Sequence, residues 1–315
     1  MTDILLRVEG PVYQAALGQY FTVHDGSKGL DALPPEILAK IRVVVTNGTV
    51  GLTAAEMDLL PNLGLISTVG TGYEKVQIHE AFARDIDVTH AAGTNAVAVA
   101  EHTIGMIIGL MRKLARYDET TRAGQWRGAM GPTPMVSGKR IGIFGMGGVG
   151  RRVAQLAEAF GMPVSYCSRT AKDTPNWAFV SDLETLAAQV DVLVLTVPGG
   201  PETHHAVNEA VLAALGPDGY VVNVGRGSVV KTEALIEALH SGRIAGAALD
   251  VFEDEPHIPE ELRRSPDVLL SPHVAGLALE VQELSAALLK RNIDAFTAKA
   301  PLVSPVPEMA QRTTG

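Results

Sequence analysis

The chain has 315 residues, 46% of them hydrophobic and 19% charged, and its formal net charge is −9. These values are typical of a globular protein long enough for two ordinary domains. The acidic balance without a basic run argues against a nucleic-acid partner, and the amino terminus lacks the basic start and long apolar run of a secretory signal. The most apolar region, Ile86–Met111, favours a buried helix over a membrane span, because it is interrupted by Asp87, His90, Glu101 and His102.

Short runs of β-branched residues alternate with helical patterns through the first ninety residues. Strands are predicted at Ile4–Val8, Arg42–Thr46, Leu65–Val69 and Ile86–His90. Helices are predicted between them at Thr53–Leu60 and Lys75–Arg84. This alternation is typical of βαβ units and of a mainly parallel sheet.

A change of pattern follows Asn95, where one long helix is predicted as far as Arg122. For Trp126, which comes next, a buried packing role is favoured over a place in a substrate pocket. A Gly- and Pro-rich loop then precedes a second series of strands, predicted at Arg140–Phe144, Val164–Tyr166, Val192–Thr196, Tyr220–Val224, Ala247–Leu249 and Val268–Leu270.

The last helix is predicted from Leu279 to about Lys299, and we expect the Pro-rich tail after it to pack back on the amino-terminal part. The sequence therefore predicts an α/β protein of two domains. One is discontinuous and consists of residues 1–97 and 285–315, and the other consists of residues 98–284.

A glycine-rich turn, Gly145 to Gly150, lies between the predicted strand Arg140–Phe144 and a helical pattern. In this setting the first glycine permits a tight turn, the second lets the backbone approach a pyrophosphate, and the third allows close helix–strand packing. The helix amino terminus adds free N–H groups and a partial positive charge. We predict that a dinucleotide contacts Met146, Gly147, Gly148 and Val149; the alternative is a tight turn without a ligand.

The end of the next strand should read the adenine ribose, about 20 residues beyond the turn. An acidic residue, which would bind the 2′-hydroxyl of NAD, is absent there, and Ser168, Arg169 and Thr170 stand in its place. Arginine binds phosphate in bidentate geometry, whereas a carboxylate would repel it. The sequence thus predicts NADP(H) in preference to NAD(H). The alternative is that Arg169 is a solvated loop residue or stacks on the adenine.

Reactive side chains follow three later strands, at the strand ends where open α/β sheets bind ligands. They are Arg226 in VVNVGRGSVV, Asp250 and Glu255 in LDVFEDEP, and His273 in LLSPHVAG. Reduction of a ketone by hydride needs a proton donor, a role that suits histidine, and a cation for the substrate carboxylate, a role that suits the planar fork of arginine. Taken singly, each residue also has a structural interpretation.

Seven ordered motifs over nearly the whole chain together resemble the D-isomer-specific 2-hydroxyacid dehydrogenase family. They are Val69–Tyr73, Ala100–His102, Gly145–Gly150, Val197-Pro198 with Pro201–Thr203, Asn223–Gly227, Leu249–Phe252 with Glu255-Pro256, and Pro272-His273. The resemblance implies two Rossmann-like domains with doubly wound parallel sheets, an active site in the cleft between them, and a homodimer to which the helix after Asn95 contributes.

The resemblance also implies residue roles. Arg226 is expected to bind and polarise a 2-oxo acid, Glu255 to support the histidine, and His273 to act as the general acid in reduction. The substrate is expected to contact Asn47, Val69, Gly70, Thr71, Arg226 and His273. Further cofactor contacts are expected at Val197, Pro198, Thr203, Val224, Gly225, Arg226, Asp250, His273 and Gly276.

Within the family, four segments look most like those of NADPH-preferring glyoxylate, hydroxypyruvate and hydroxyphenylpyruvate reductases, with 2-ketogluconate reductases nearby. They are Ser168–Thr170, Asn223–Gly227, His273–Gly276 and Gly70–Glu74. We therefore expect reduction of a small 2-oxo acid to the D-2-hydroxy acid. The alternatives are a larger 2-oxo acid and a dinucleotide-sensing binding protein without enzymatic activity. The single cysteine, Cys167, predicts a cytoplasmic location, and the histidine spacing predicts no metal site.

Overall fold

The computed structural model describes residues 1–8, 10–174 and 176–312, and the chain divides into two compact units. Unit 1 consists of Met1–Asn95 with Leu277–Gly315, and unit 2 consists of Ala96–Gly276. The junctions at residues 95 and 276 precede the predicted boundaries at 97 and 284. The second junction lies earlier because the whole of the last long helix packs within unit 1.

A five-stranded parallel sheet forms the centre of unit 1, in the order β2-β1-β3-β4-β5. Its strands are β1 Asp3–Leu6, β2 Thr22–Asp25, β3 Ile41–Thr46, β4 Leu65–Thr68 and β5 Asp87–His90. The helices that follow its strands are α1 Pro11–Gly18, α2 Pro35–Leu38, α3 Ala54–Asp58 and α4 Ile78–Ala83. Val43, Val44 and Val45 of β3 are all fully buried, as in a parallel sheet that is covered on both faces.

Unit 2 contains a seven-stranded parallel sheet in the order β12-β11-β10-β9-β6-β7-β8. Its strands are β6 Ile141–Phe144, β7 Val164–Cys167, β8 Ala178–Phe179, β9 Val192–Leu195, β10 Tyr220–Asn223, β11 Gly246–Leu249 and β12 Val268–Leu270. From β6 the chain runs outward to β7, and from β9 it runs outward in the opposite direction. Ligands of open α/β sheets bind at such a reversal, at the carboxyl ends of the strands.

The helices of unit 2 are α5 Ala96–Met111, α6 Leu114–Arg122, α7 Gly148–Ala159, α8 Leu183–Ala187, α9 Glu209–Leu215, α10 Thr232–His240 and α11 Glu260–Arg264. Two of them begin at a side chain that accepts hydrogen bonds from backbone N–H groups of the first helical turn. Asp182 caps α8 in this way, and Asn208 caps α9. Such caps satisfy donors that have no partner within the helix.

The prediction of one long helix over residues 95–122 is wrong, because the chain breaks between α5 and α6. Lys113 has φ = 50°, in the left-handed region, which cannot continue a right-handed helix. Most of α5 is apolar and buried, whereas α6 has no buried residue. Within the single chain the burial predicted for Trp126 is also wrong, since its side chain is 78% exposed.

The carboxyl-terminal segment completes unit 1 with α12 Leu279–Thr297 and α13 Met309–Arg312. Leu289 and Ile293 of α12 lie in the core with residues of β1 and β3. The tail after α12 packs back on β5 as expected: the N–H of His90 donates to Ser304 O at 3.0 Å, and that of Val306 donates to Val88 O at 3.1 Å. Across the part of the chain described, no helix has the length and apolar character to cross a membrane.

A buried amide anchors this tail to α12. Asn292 is 1% exposed, and its Oδ1 accepts from the N–H groups of Val303 and Ser304 at 3.0 and 3.1 Å. Its Nδ2 donates to Ser304 Oγ at 2.9 Å. One side chain therefore satisfies two backbone donors of the tail.

We expect Asn292→Ala to destabilise unit 1 by about 2 kcal/mol, because it leaves two backbone donors without their acceptor. Hydrogen exchange followed by mass spectrometry should show faster exchange of the amides of Val303, Ser304 and Val306. The exposed neighbour Arg291 provides the control, since Arg291→Ala should leave that exchange unchanged. Equal protection of the tail in both variants would contradict the anchoring role.

Candidate active site

The glycine turn connects β6 to α7 at the reversal point of the unit 2 sheet. Gly145 has φ = 104°, and a Cβ there would lie 2.9 Å from Val197 N. A Cβ on Gly150 would lie only 2.0 Å from Gly145 O. At Gly147, by contrast, a Cβ would meet nothing within 4 Å. Packing within the protein thus requires the first and third glycines, whereas the second opens onto free space at the amino terminus of α7.

The loop after β7 carries the three residues predicted to select the cofactor. Ser168 Oγ donates to Thr170 O at 2.8 Å, which shapes the turn. The Arg169 side chain is 90% exposed and lies 3.8 Å from Glu202, which is itself 79% exposed. An exposed pair at this distance is weak, so the guanidinium can exchange Glu202 for another anion at little cost.

The turn after β10 presents Arg226. Its shape is set by the buried Asn223, whose Oδ1 accepts from the Gly225 N–H at 3.1 Å and whose Nδ2 donates to Arg226 O at 3.0 Å. The Arg226 side chain is half-buried, and its Nη1 donates to Gly225 O at 2.7 Å. Asn223 is a positioning residue that sequence reasoning did not single out, although it opens the NVGRG motif.

The glycine after Arg226 is required by a very close backbone approach. A Cβ on Gly227 would lie 1.9 Å from the carbonyl carbon and oxygen of Phe252. A side chain of any size would therefore push the turn carrying Arg226 away from the loop after β11. Glycine at this position keeps Arg226 close to the loop that carries Glu255.

The loops after β11 and β12 bring Glu255 and His273 together. Glu255 Oε2 lies 2.8 Å from His273 Nδ1, and Glu255 Oε1 accepts from the Phe252 N–H at 3.0 Å. His273 has φ = 56°, an uncommon conformation for a non-glycine residue, and its N–H donates to Asp250 O at 2.7 Å. The carboxylate orients the ring through Nδ1, so any proton transfer between this ring and a ligand would use Nε2.

The electrostatics of Glu255 favour its ionised form. Burial alone would raise the pKa of this carboxyl group, but the hydrogen bonds from His273 and from the Phe252 N–H outweigh burial. The positive charges of His273 and Arg226 act in the same direction, so the pKa of Glu255 lies below its ordinary value. The three residues predicted to be catalytic therefore form one electrostatically coupled group.

Comparison with known families decides the assignment. The family model described as D-isomer specific 2-hydroxyacid dehydrogenase, NAD binding domain, matches residues 104–275, more than half of the chain. The chain belongs to this family. It is therefore an oxidoreductase of the 2-hydroxyacid dehydrogenase type, as the seven motifs predicted.

Curated relatives of this dehydrogenase are similar over most of their length. The chain is 39% identical to a hydroxyphenylpyruvate reductase of Plectranthus scutellarioides, over 84% of this chain and 85% of the relative. It is 36% identical to a 2-ketogluconate reductase of Gluconobacter oxydans, over 94% and 95%.

A solved structure extends the similarity to the fold. The NADPH-dependent glyoxylate/hydroxypyruvate reductase of Sinorhizobium meliloti, determined with NADP and malonate, is 34% identical and has a TM-score of 0.90. The match covers 97% of each chain.

Asp250 has a structural function in this dehydrogenase that the sequence did not predict. Its side chain is 1% exposed, and its carboxylate accepts from the N–H groups of Val274 and Ala275 at 2.9 and 3.0 Å and from Ser271 Oγ at 2.5 Å. It thereby holds the loop that carries His273. The predicted contact of Asp250 with the nicotinamide remains a prediction.

His102 of the family's Ala100–His102 motif lies beside the same hydrogen-bonded pair, Asp250 and Ser271. His102 Nε2 lies 2.9 Å from Ser271 Oγ and 3.7 Å from Asp250 Oδ1. Helix α5 thus contacts the loop after β12 through His102. The sequence indicated the motif but offered no signal for its partner, because Ser271 is 169 positions away in the chain.

The substrate residues predicted in unit 1 follow β3 and β4. Asn47 Oδ1 accepts from the N–H of Val50 at 2.8 Å, which stabilises its own loop. The N–H of Val69 donates to Thr46 O at 2.9 Å, so this donor is already used within the sheet. A Cβ on Gly70 would meet nothing within 4 Å, whereas its carbonyl oxygen accepts from the Ala91 N–H at 2.9 Å and from Thr68 Oγ1 at 3.1 Å.

When folding lowers the pKa of a carboxyl group, its ionised form stabilises the folded state. This contribution to the free energy of unfolding is complete at pH values above the pKa of the group in the unfolded chain. It is lost as the pH falls through the pKa of the group in the folded chain. We therefore expect Glu255→Gln to lower the free energy of unfolding of unit 2 at pH 7, and the difference from wild type to shrink below about pH 4. Urea titrations followed by tryptophan fluorescence report on unit 2, because both tryptophans, Trp126 and Trp177, lie there.

The exposed Glu237 on α10 provides the control for this titration, since Glu237→Gln should change stability little at any pH. A difference between wild type and Glu255→Gln that stays constant from pH 3.5 to 7 would show that the Glu255 carboxylate is not stabilised by its neighbours.

Proposed function

We propose that this dehydrogenase reduces a small 2-oxo acid of the glyoxylate or hydroxypyruvate type to the D-2-hydroxy acid, with NADPH as the preferred cofactor. The observation that carries the proposal is the arrangement of Arg226 with the hydrogen-bonded Glu255 and His273 at the carboxyl ends of β10, β11 and β12. The glycine turn lies at the same edge of the same sheet.

The residues around the glycine turn fit a dinucleotide. The open space beside Gly147 and the amino terminus of the twelve-residue helix α7 suit a pyrophosphate. Ser168, Arg169 and Thr170 would face the 2′-phosphate, and the absence of a carboxylate among them removes the group that would repel it. A bound reduced nicotinamide supplies the hydride in such a reaction.

Arg226 and His273 divide the remaining work. The planar guanidinium of Arg226 matches the substrate carboxylate and draws electron density from the adjacent carbonyl group. The Nδ1–H group of His273 donates a hydrogen bond to Glu255. The protonated ring then gives the proton on Nε2 to the substrate oxygen as negative charge develops on that oxygen. Ionised Glu255 stabilises the positive imidazolium before transfer and fixes the ring in place.

A larger 2-oxo acid is the second candidate substrate, and two of the relatives favour it. The Plectranthus and Gluconobacter relatives are named for hydroxyphenylpyruvate and 2-ketogluconate. The smaller substrate is supported by the Sinorhizobium meliloti structure, whose chain is matched over nearly its whole length.

We expect NADPH oxidation with glyoxylate and hydroxypyruvate at higher kcat/KM than with 2-ketogluconate or 4-hydroxyphenylpyruvate. His273→Gln should lower kcat with the best substrate by about 100-fold or more, because the general acid is lost, while leaving NADPH affinity largely unchanged. Initial rates at 340 nm and fluorescence titration with NADPH measure both quantities.

An exposed histidine elsewhere in unit 2, His240 at the end of α10, provides the matched control, and His240→Gln should retain full activity. Near-normal kcat in His273→Gln would refute the proton-donor role. Binding of NADPH without turnover of any of the four acids would refute the reductase proposal.

We also propose that the chain is a cytoplasmic homodimer whose interface includes the segment after Asn95. Large exposed apolar side chains of unit 2 support this interface: Val97, Leu114, Trp126 and Met135 are each at least 50% exposed. We expect light scattering coupled to size exclusion to give twice the chain mass of 33.2 kDa, and a mass of one chain would contradict the proposal. The single cysteine supports the reducing location.

A further inference from the structure

A second cation stands in the loop after β7, beside the residues proposed to receive the 2′-phosphate. Lys172 Nζ donates to Thr170 Oγ1 at 3.0 Å. The ammonium group is therefore held next to a hydroxyl group of that site, although Lys172 lies two positions further along the chain. Its side chain is exposed, so an anion from solvent can reach it.

A buried tyrosine fixes the backbone of this lysine. Tyr166 is 1% exposed, and its hydroxyl group accepts from the Lys172 N–H at 2.7 Å and donates to Lys172 O at 3.2 Å. Its ring lies 5.5 Å from that of Phe179 in β8. A phenol that both donates to and accepts from one residue holds that residue at a fixed distance from the strand end.

A second tether holds the same loop from α7. Arg151 Nη1 donates to Asp173 O at 3.3 Å, which links the helix of the glycine turn to the residue after Lys172. The loop is thus fixed from two directions, and its cations Arg169 and Lys172 flank Thr170 in sequence. A phosphate dianion at Ser168–Thr170 would be shared between a guanidinium and an ammonium group.

We propose that Lys172 is a second cationic ligand for the 2′-phosphate of NADPH, and that Tyr166 is the residue that positions it. This inference rests on the proposed preference for NADPH. Arg169 provides a planar fork and Lys172 a point charge, and together they neutralise a group that carries about two negative charges.

The variants that test the proposal are Lys172→Gln, Lys172→Arg and Tyr166→Phe, with Lys28→Gln in unit 1 as the control for loss of one exposed positive charge. For Lys172→Gln we expect KM for NADPH to rise about tenfold with kcat unchanged, because one charge-assisted hydrogen bond is lost. KM for NADH should stay within about twofold. Lys172→Arg should restore most of the NADPH affinity.

Tyr166→Phe keeps the buried ring but removes both hydrogen bonds between the tyrosine hydroxyl group and Lys172, and it leaves the Arg151–Asp173 hydrogen bond in place. We expect a smaller rise in KM for NADPH, about threefold, again without an effect on NADH. The salt dependence of KM for NADPH should be shallower in Lys172→Gln than in wild type, since fewer charges meet the phosphate. A variant that merely misfolds would weaken NADPH and NADH alike.

The outcomes separate the two proposals. A wild-type enzyme without a preference for NADPH would refute the proposed cofactor preference, whatever the variants do. A wild-type enzyme that prefers NADPH, with Lys172→Gln keeping the same preference, would leave that preference standing and overturn the role of Lys172. Binding of 2′,5′-ADP against 5′-AMP provides an independent readout, because neither probe requires turnover. We expect Lys172→Gln to lose affinity for 2′,5′-ADP alone.

Discussion

The candidate site depends on how closely backbone segments approach at the carboxyl edge of the unit 2 sheet. Gly150 packs onto the carbonyl of Gly145, and Gly227 packs onto the carbonyl of Phe252, at distances that exclude any Cβ atom. The first contact places the amino terminus of α7 against the end of β6. The second places the Arg226 turn against the loop of Glu255. Both the start of α7 and the neighbourhood of Glu255 therefore rely on glycines whose contribution is close packing.

Behind these contacts, buried polar groups give the reactive side chains fixed positions. Asn223 shapes the turn of Arg226, and Asp250 holds the loop of His273 through two backbone N–H groups. A buried carboxylate is costly unless it is fully hydrogen-bonded, and Asp250 meets this condition with His102 and Ser271 nearby. The strained backbone of His273 persists because these neighbours determine its conformation.

The sequence was sufficient to predict those parts of the molecule that have a local cause. Glycine spacing after an apolar strand predicted the turn at Gly145. The Glu255–His273 pair was predicted by the resemblance to the family, because residue type alone left a structural interpretation open for each of the two. The edge strands β2 and β8 were missed because neither has an apolar run: β2 is polar and partly exposed, and β8 has only two residues. The break at Lys113 was missed because a left-handed residue other than glycine has no signature in the sequence.

Contacts between distant positions could not be predicted for a different reason. The anchor between His102 and Ser271 joins segments that only the folded sheet brings together, and neither residue type predicts it. The same holds for Tyr166, which the periodicity of β7 places in the core without indicating that its hydroxyl group binds Lys172. Patterns along the chain indicate which residues are buried, whereas partners of buried polar groups follow from the tertiary fold.

The discontinuity of unit 1 has a consequence for the order of folding during synthesis. Residues 1–95 lack the buried face that Leu289 and Ile293 of α12 provide, so their sheet cannot complete its core while the chain is still emerging. Unit 2 is contiguous, and all of its strands leave the ribosome before α12 does. Unit 2 can therefore assemble first, and unit 1 closes last although its strands precede those of unit 2 in the chain.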